Sequence, residues 1–136
     1  MRVIIAGSRS FEDLDLLCNF CDYVLSDLDD IEIVSGTAEG ADNLGEEYAK
    51  LRGYPIKPFP ANWKRYGKAA GPIRNEEMAA YSNMLIVFWD GKRKKKKNMI
   101  DTAEKKGLLV RVCMFTPKPI TPKIYKGQWF QSIKEQ

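Results

Sequence analysis

Five short apolar runs recur along the chain, at 3–6, 31–34, 56–59, 84–89 and 108–115. They are rich in β-branched and aromatic side chains, which predicts strands. The runs at 3–6 and 84–89 are apolar throughout, as expected of central strands covered on both faces. Pro58 and Pro60 argue for a sheet-edge position of the third run or its early exit from the sheet, because proline lacks a ladder donor. Between the runs the spacing changes. Phe11, Leu14, Leu17, Cys18, Cys21, Val24, Leu25 and Leu28 return at three- and four-residue steps, which predicts an amphipathic helix over 11–28. Residues 42–52 read as a second helix, stopped by Gly53 and Pro55. Further helices are expected at 74–81 and at 98–106, the last ended by Gly107. Residues 61–73 and 90–97 read as loops. Pro117, Pro119 and Pro122 open an irregular tail that carries Tyr125, Trp129 and Phe130. There is no internal repeat, and the lysine run is the one low-complexity segment.

Alternating strands and helices imply an α/β fold, an open and mostly parallel sheet of about five strands with helices on both faces. In such sheets ligands bind outside the carboxyl ends of the strands. Those ends are Gly7-Ser8-Arg9, Ser35-Gly36-Thr37, Pro60-Ala61-Asn62-Trp63 and Asp90-Gly91-Lys92. The polar, glycine-containing segments therefore gather on one edge, where a binding site is expected.

Composition narrows the chemistry. At 136 residues the chain is expected to form one domain, over 1–116, with 117–136 as a proline-rich C-terminal extension. No histidine is present. Ser-His-Asp and Cys-His mechanisms are thereby excluded, and any acid or base is Asp, Glu, Lys, Tyr or Cys. Cys18 and Cys21 have C-x-x-C spacing but lie within a helical pattern, and the chain lacks the further ligands a zinc site needs. They read as helix residues in a reducing compartment. No apolar run reaches about 18 residues and no secretory signal opens the chain, so a cytoplasmic protein is expected. No metal and no cofactor is implied. The net charge of +4 is mild and uneven, with much of it in residues 92–97.

Four segments are candidates for chemistry. Gly7-Ser8-Arg9-Ser10-Phe11 combines close backbone approach, hydroxyls and a guanidinium able to grip phosphate; its plain alternative is a turn capped by Ser10. Ser35-Gly36-Thr37-Ala38-Glu39-Gly40-Ala41-Asp42 joins a strand end to a helix start, where backbone N–H groups and the helix dipole suit an anion. Glu39 is the acid placed mid-loop, able to hold a ribose hydroxyl or act as a base. Asp42 reads equally as a helix cap or a ligand contact. Residues 60–75 mix aromatic faces, Trp63 and Tyr66, with Lys64, Arg65, Lys68 and Arg74. Arg74 and Asn75 open a helix expected to point at the pocket. Asp90, Gly91 and Lys92 lead into the lysine run, which reads as a phosphate loop, a nucleic-acid patch or a solvated tip. Lysines in a row are too flexible and too hydrated to impose one ligand geometry, so the solvated tip with weak, nonspecific polyanion affinity is favoured.

The segments GSRSF at 7–11, SGTAEGAD at 35–42, GEEYA at 45–49, FPANW at 59–63, YGKAAGPIRNEEM at 66–78, FWDG at 88–91 and NMIDTAEKKGLLVRV at 98–112 resemble the YspA/YpsA-related branch of the SLOG superfamily. The resemblance covers residues 1 to about 115 and implies a Rossmann-like fold that binds nucleotides or nucleotide-derived molecules. Superfamily relatives include phosphoribohydrolases that cut an N-glycosidic bond and sensor domains for NAD-derived signals in antiphage defence. One departure stands out. The branch usually follows FWDG with a Gly-Lys-Ser-x-Gly-Thr phosphate loop, and here only Gly91 and Lys92 match before Arg93 and four lysines. The Pro-Gly-Gly-x-Gly-Thr-x-x-Glu motif of the phosphoribohydrolases is absent, which lowers the expectation of their reaction.

The expected function is binding of a nucleotide or nucleotide-derived ligand, as a sensor or a sequestering protein. Gly7, Ser8 and Arg9 would hold one phosphate; Ser35, Gly36 and Thr37 a second phosphate or sugar; Glu39 the ribose. Trp63, Lys68, Arg74 and Asn75 would close over the base or a phosphate. Phe11, Asp42, Asp90, Gly91 and Lys92 complete the expected ligand set. The alternatives are a hydrolase with Glu39 as its catalytic acid or base, and a nucleic-acid protein using the lysine run. A homo-oligomer is expected, since related proteins commonly assemble.

Overall fold

The computed structural model describes residues 1–92 and 94–116, and of residues 94–96 the backbone alone. Five strands form one parallel sheet: β1 (Arg2–Gly7), β2 (Glu32–Ser35), β3 (Ile56–Pro58), β4 (Met84–Trp89) and β5 (Leu109–Met114). Their spatial order is β3-β2-β1-β4-β5. The chain winds outward from β1 to β3, then crosses back to lay β4 against the other side of β1. The order reverses between β1 and β4, and a crevice opens at that point outside the strand carboxyl ends. This is an open Rossmann-like α/β sheet, with β3 at an edge as its prolines require.

The pleat sorts the apolar runs between two cores. Val3, Ile5, Ile33, Met84, Ile86 and Phe88 face the helices α1 (Leu14–Leu25) and α2 (Ala41–Arg52), burying Leu17, Cys21 and Tyr48. Ile4, Ala6, Val34, Leu85 and Val87 face α4 (Ala70–Tyr81) and α5 (Lys94–Lys105), burying Met78, Met99 and Ala103. Alternate residues of β1 and β4 thus serve opposite layers. This explains why both runs are apolar without interruption. A Cβ on Gly7 would lie 2.3 Å from the Phe88 carbonyl oxygen and 2.7 Å from the Ala41 Cβ. The close approach required there is of β1 to β4 and α2.

Several boundaries differ from the sequence reading. Helix α1 starts at Leu14, capped by Asp13, whose Oδ1 accepts from the Leu16 N–H at 3.0 Å. Ser10 is not the cap. Phe11 precedes the helix and is buried; its ring stacks on Phe88 at 4.8 Å and meets Phe115 edge-on. Residues 61–73 are not a loop. A short helix α3 (Trp63–Tyr66), capped by Asn62 Oδ1 on the Arg65 N–H, leads through a 3-10 turn, Gly67–Ala69, directly into α4. Pro72 fits because it sits in the first turn of α4, where a missing N–H leaves no helical bond unmade. Residues 94–97 are likewise not a loop: α5 begins at Lys94, four residues before the expected start at 98. Arg93 and the tail with Tyr125, Trp129 and Phe130 lie outside the described residues. Among the described residues no helix is long and apolar enough to cross a membrane.

Helices α1 and α2 are tied by Asp22. Its carboxylate accepts from Arg52 Nη2 at 2.7 Å and Nε at 3.0 Å, and from the Tyr48 hydroxyl at 2.7 Å. The Arg52 pair, aided by Tyr48, holds the Asp22 carboxyl below its ordinary range. A carboxyl depressed by folding stabilises above its unfolded pKa, and that contribution fades as pH falls through the folded value. The melting temperature should therefore drop more steeply on acidification below about pH 4 in the native protein than in Asp22→Asn, as measured by circular dichroism. Parallel acid limbs would remove the clamp from the stability of the fold. Gly7→Ala, by contrast, should cost about 1–3 kcal/mol at any pH, the range for forcing atoms into a packed site; an unchanged denaturant midpoint would contradict the close packing.

Candidate functional site

A cavity of about 410 Å³ opens at the carboxyl edge of the sheet, beside the reversal between β1 and β4. Its walls come from four directions. Ala6 and Arg9 end β1; Ala38 and Asp42 belong to the junction of β2 and α2; Trp63 and Lys68 come from α3 and the turn after it. Helices α4 and α5 supply the remainder, with Arg74, Asn75 and Met78 from α4 and Asn98 and Met99 from α5. Among the described residues three cations, Arg9, Lys68 and Arg74, and one acid, Asp42, line it, over an apolar floor that includes Met78 and Met99.

Arg74 organises this space. Its Nη1 donates to the Gly36 carbonyl oxygen, linking α4 to the loop after β2. Its Nε donates to Asn75 Oδ1 at 3.1 Å, and Asn75 Nδ2 donates to Asn98 Oδ1 at 3.1 Å. Burial lowers the Arg74 pKa, the Asp42 carboxylate opposes that shift, and the like charge of Arg9 adds to it. The guanidinium still stays protonated, so the cavity holds a partly desolvated cation beside a second one. Such an arrangement favours an anion. Gly36 is needed for it: a Cβ there would lie 2.7 Å from Arg74 Nη1 and 2.7 Å from Asp42 Oδ2.

The loop after β2 closes on itself. Ser35 Oγ donates to Glu46 Oε2 at 2.6 Å and accepts from the Thr37 N–H at 3.0 Å. The Ala38 N–H goes to Asp42 Oδ2 at 3.3 Å, and the Ala41 N–H to the Ser8 carbonyl at 3.3 Å. Thr37 takes φ +63°, a left-handed conformation held by these bonds. The N–H groups of Thr37, Ala38 and Ala41, expected among those that cradle phosphate, are thus spent inside the protein. Asp42 is not the helix cap; Gly40 holds that position, with φ +77° and no side-chain cap.

The site residues expected from sequence divide accordingly. Arg9, Asp42, Trp63, Lys68, Arg74 and Asn75 meet around the cavity. Gly7, Ser8, Phe11, Ser35, Gly36 and Thr37 do not line it. Ser8 is fully buried, with its N–H on the Phe88 carbonyl at 2.9 Å. Glu39 stands exposed on the loop, outside the cavity wall. Asp90, Gly91 and Lys92 form a tight turn after β4, where the Lys92 N–H reaches Asp90 Oδ1 at 2.9 Å. Tyr66, Lys64 and Arg65 also lie off the wall, with Arg65 over the Tyr66 ring. Sequence reading missed Asn98, Met99, Met78 and Ala38. The positions 71, 74, 75 and 78 recur at helical spacing, a signal hidden by starting that helix at 74.

Comparison with known proteins agrees with this architecture. Residues 1–66 match the model of the YspA, cpYpsA-related SLOG family. The chain is 30% identical over 125 residues to the Gene 61 protein of Mycobacterium phage D29, covering 87% of this chain and 98% of that relative. No solved structure gives a significant match. With the family match over the β1–α3 half and a relative aligned along nearly its whole length, the chain belongs to the YspA/cpYpsA-related SLOG family.

Proposed function

We propose that the cavity binds a nucleotide or nucleotide-derived ligand and that the protein senses or sequesters it. The observation carrying this reading is the meeting of Arg9, Lys68 and Arg74 with Trp63 around one cavity of about 410 Å³, a size suited to a small ligand. Phosphate oxygens would pair with the Arg9 and Arg74 guanidinium groups, whose planar forks match them. Trp63 is half exposed at the cavity mouth, and its ring passes over Gly71. A base stacked on such a ring gains about 1–3 kcal/mol. The Asn75 and Asn98 amides would meet polar edges of the base or sugar.

Binding is favoured over turnover by the carboxylates. Asp42 is the one acid on the cavity wall among the described residues, and its Oδ2 already holds the Ala38 N–H. Glu39 would have to reach in from an exposed loop. The lysine run keeps, in this reading, only weak and salt-sensitive polyanion affinity.

Thermal unfolding with AMP, ADP, NAD and ADP-ribose, followed by chromatography of each mixture, tests the proposal. A ligand at a hundred times its Kd should stabilise the fold by about 2.7 kcal/mol and be recovered intact. Arg9→Met should remove most of the shift without unfolding the protein, since Arg9 is exposed. Trp63→Ala should weaken binding about tenfold or more. Recovery of free base and sugar phosphate would establish an enzyme instead. No shift with any of the four would contradict nucleotide binding.

A further inference from the structure

The cavity does not end at Asn98. Pro72 and Asn98 also line an open groove of about 320 Å³ that continues outward between α4 and α5, walled by Thr102 and Lys105. We propose that this groove is a second subsite of the same ligand, taking an anionic group tethered to the nucleotide in the cavity. The proposal rests on the preceding reading of the cavity and adds the shape of the ligand: extended, with charge at two places.

Three observations carry it. The first is continuity, because one ligand can pass over the shared Pro72–Asn98 wall without leaving the protein surface. The second is the fixed amide at that wall. Arg74 Nε occupies Asn75 Oδ1, and Asn75 Nδ2 occupies Asn98 Oδ1. The relay therefore leaves the Asn98 Nδ2 group as a donor at the boundary, suited to an acceptor in the linking part of the ligand. The third is the charge beyond it. Asn98, Thr102 and Lys105 recur at helical spacing and share one face of α5. Seven residues at 1.5 Å each put Lys105 roughly 10 Å past Asn98 along the helix. Lys106, which also borders the groove, faces Glu76 at 3.7 Å, so these two charges offset each other. Lys105 then supplies the excess positive charge, with the Thr102 hydroxyl as a neighbouring donor. A compact mononucleotide would fill the cavity and leave the groove to water.

Calorimetric titration of the full chain with AMP and with the 5′-phosphorylated diadenylate pApA tests this at fixed, low salt. The diadenylate should bind about tenfold more tightly than AMP, the gain from one charge-assisted contact. Lys105→Glu should cancel most of that preference. Lys50→Glu makes the same charge change on exposed α2, at the opposite face of the sheet, and should keep it. AMP binding without a preference for pApA, or a preference that survives Lys105→Glu, would overturn the second subsite and leave the cavity reading standing. Binding of neither probe would overturn the second subsite, and the cavity reading with it when ADP, NAD and ADP-ribose also fail to bind.

Discussion

Arg74 reaches from α4 across the carboxyl edge of the sheet to the carbonyl of Gly36. That bond ties the loop after β2 to α4, the two walls between which the cavity opens. The bond also explains its neighbours. Gly36 has no side chain because the guanidinium and the Asp42 carboxylate fill its place. Asp42 is buried on α2 beside a cation that needs a counter-charge. Asn75 and Asn98 are ordered in turn by the Arg74 Nε. The cost of burying Arg74 is only partly offset by Asp42, since Arg9 adds charge of the same sign. A bound anion would complete the neutralisation, and this is the physical link between the fold and the proposed function.

The winding of the chain makes that contact available. Helices α1 and α2 cover one face of the sheet and α4 and α5 the other. At the carboxyl edge, near β1, groups from both layers meet. Gly7 lets β1, β4 and α2 approach closely enough for Arg9 and Asp42 to share a wall with Arg74. The apolar face of α5, through Met99 and Ala103, anchors that helix to the sheet and sets the position of Asn98.

The strands were legible from the sequence because a strand buried on both faces must be apolar throughout, as 84–89 is. The strand-end location of the site was legible for the same reason: the polar glycine segments could fall only where the apolar runs stopped. Two helix starts were hidden by residues with more than one physical use. Gly67, Gly71 and Pro72 look like breakers, yet proline in a first turn breaks no helical bond. The lysines look like a repelling loop, yet lysine is a good helix former, and Met99 and Ala103 hold the helix they begin. Which backbone donors remain for a ligand was not legible. The N–H groups of Ser8 and Ala41 are taken by Phe88 and Ser8, partners set by tertiary packing rather than by neighbouring sequence. The anion site expected at Ser35–Asp42 was legible as a strand-to-helix junction, but its internal bonding could be seen only in the folded chain.

A crystal structure of the protein soaked with AMP would test the central claim most directly. The account predicts the phosphate within hydrogen-bonding distance of Arg9 or Arg74 and the adenine against Trp63, with the Arg74–Gly36 bond intact. Phosphate density on the Asp90–Lys92 turn instead, with the cavity between α2 and α4 empty, would contradict it.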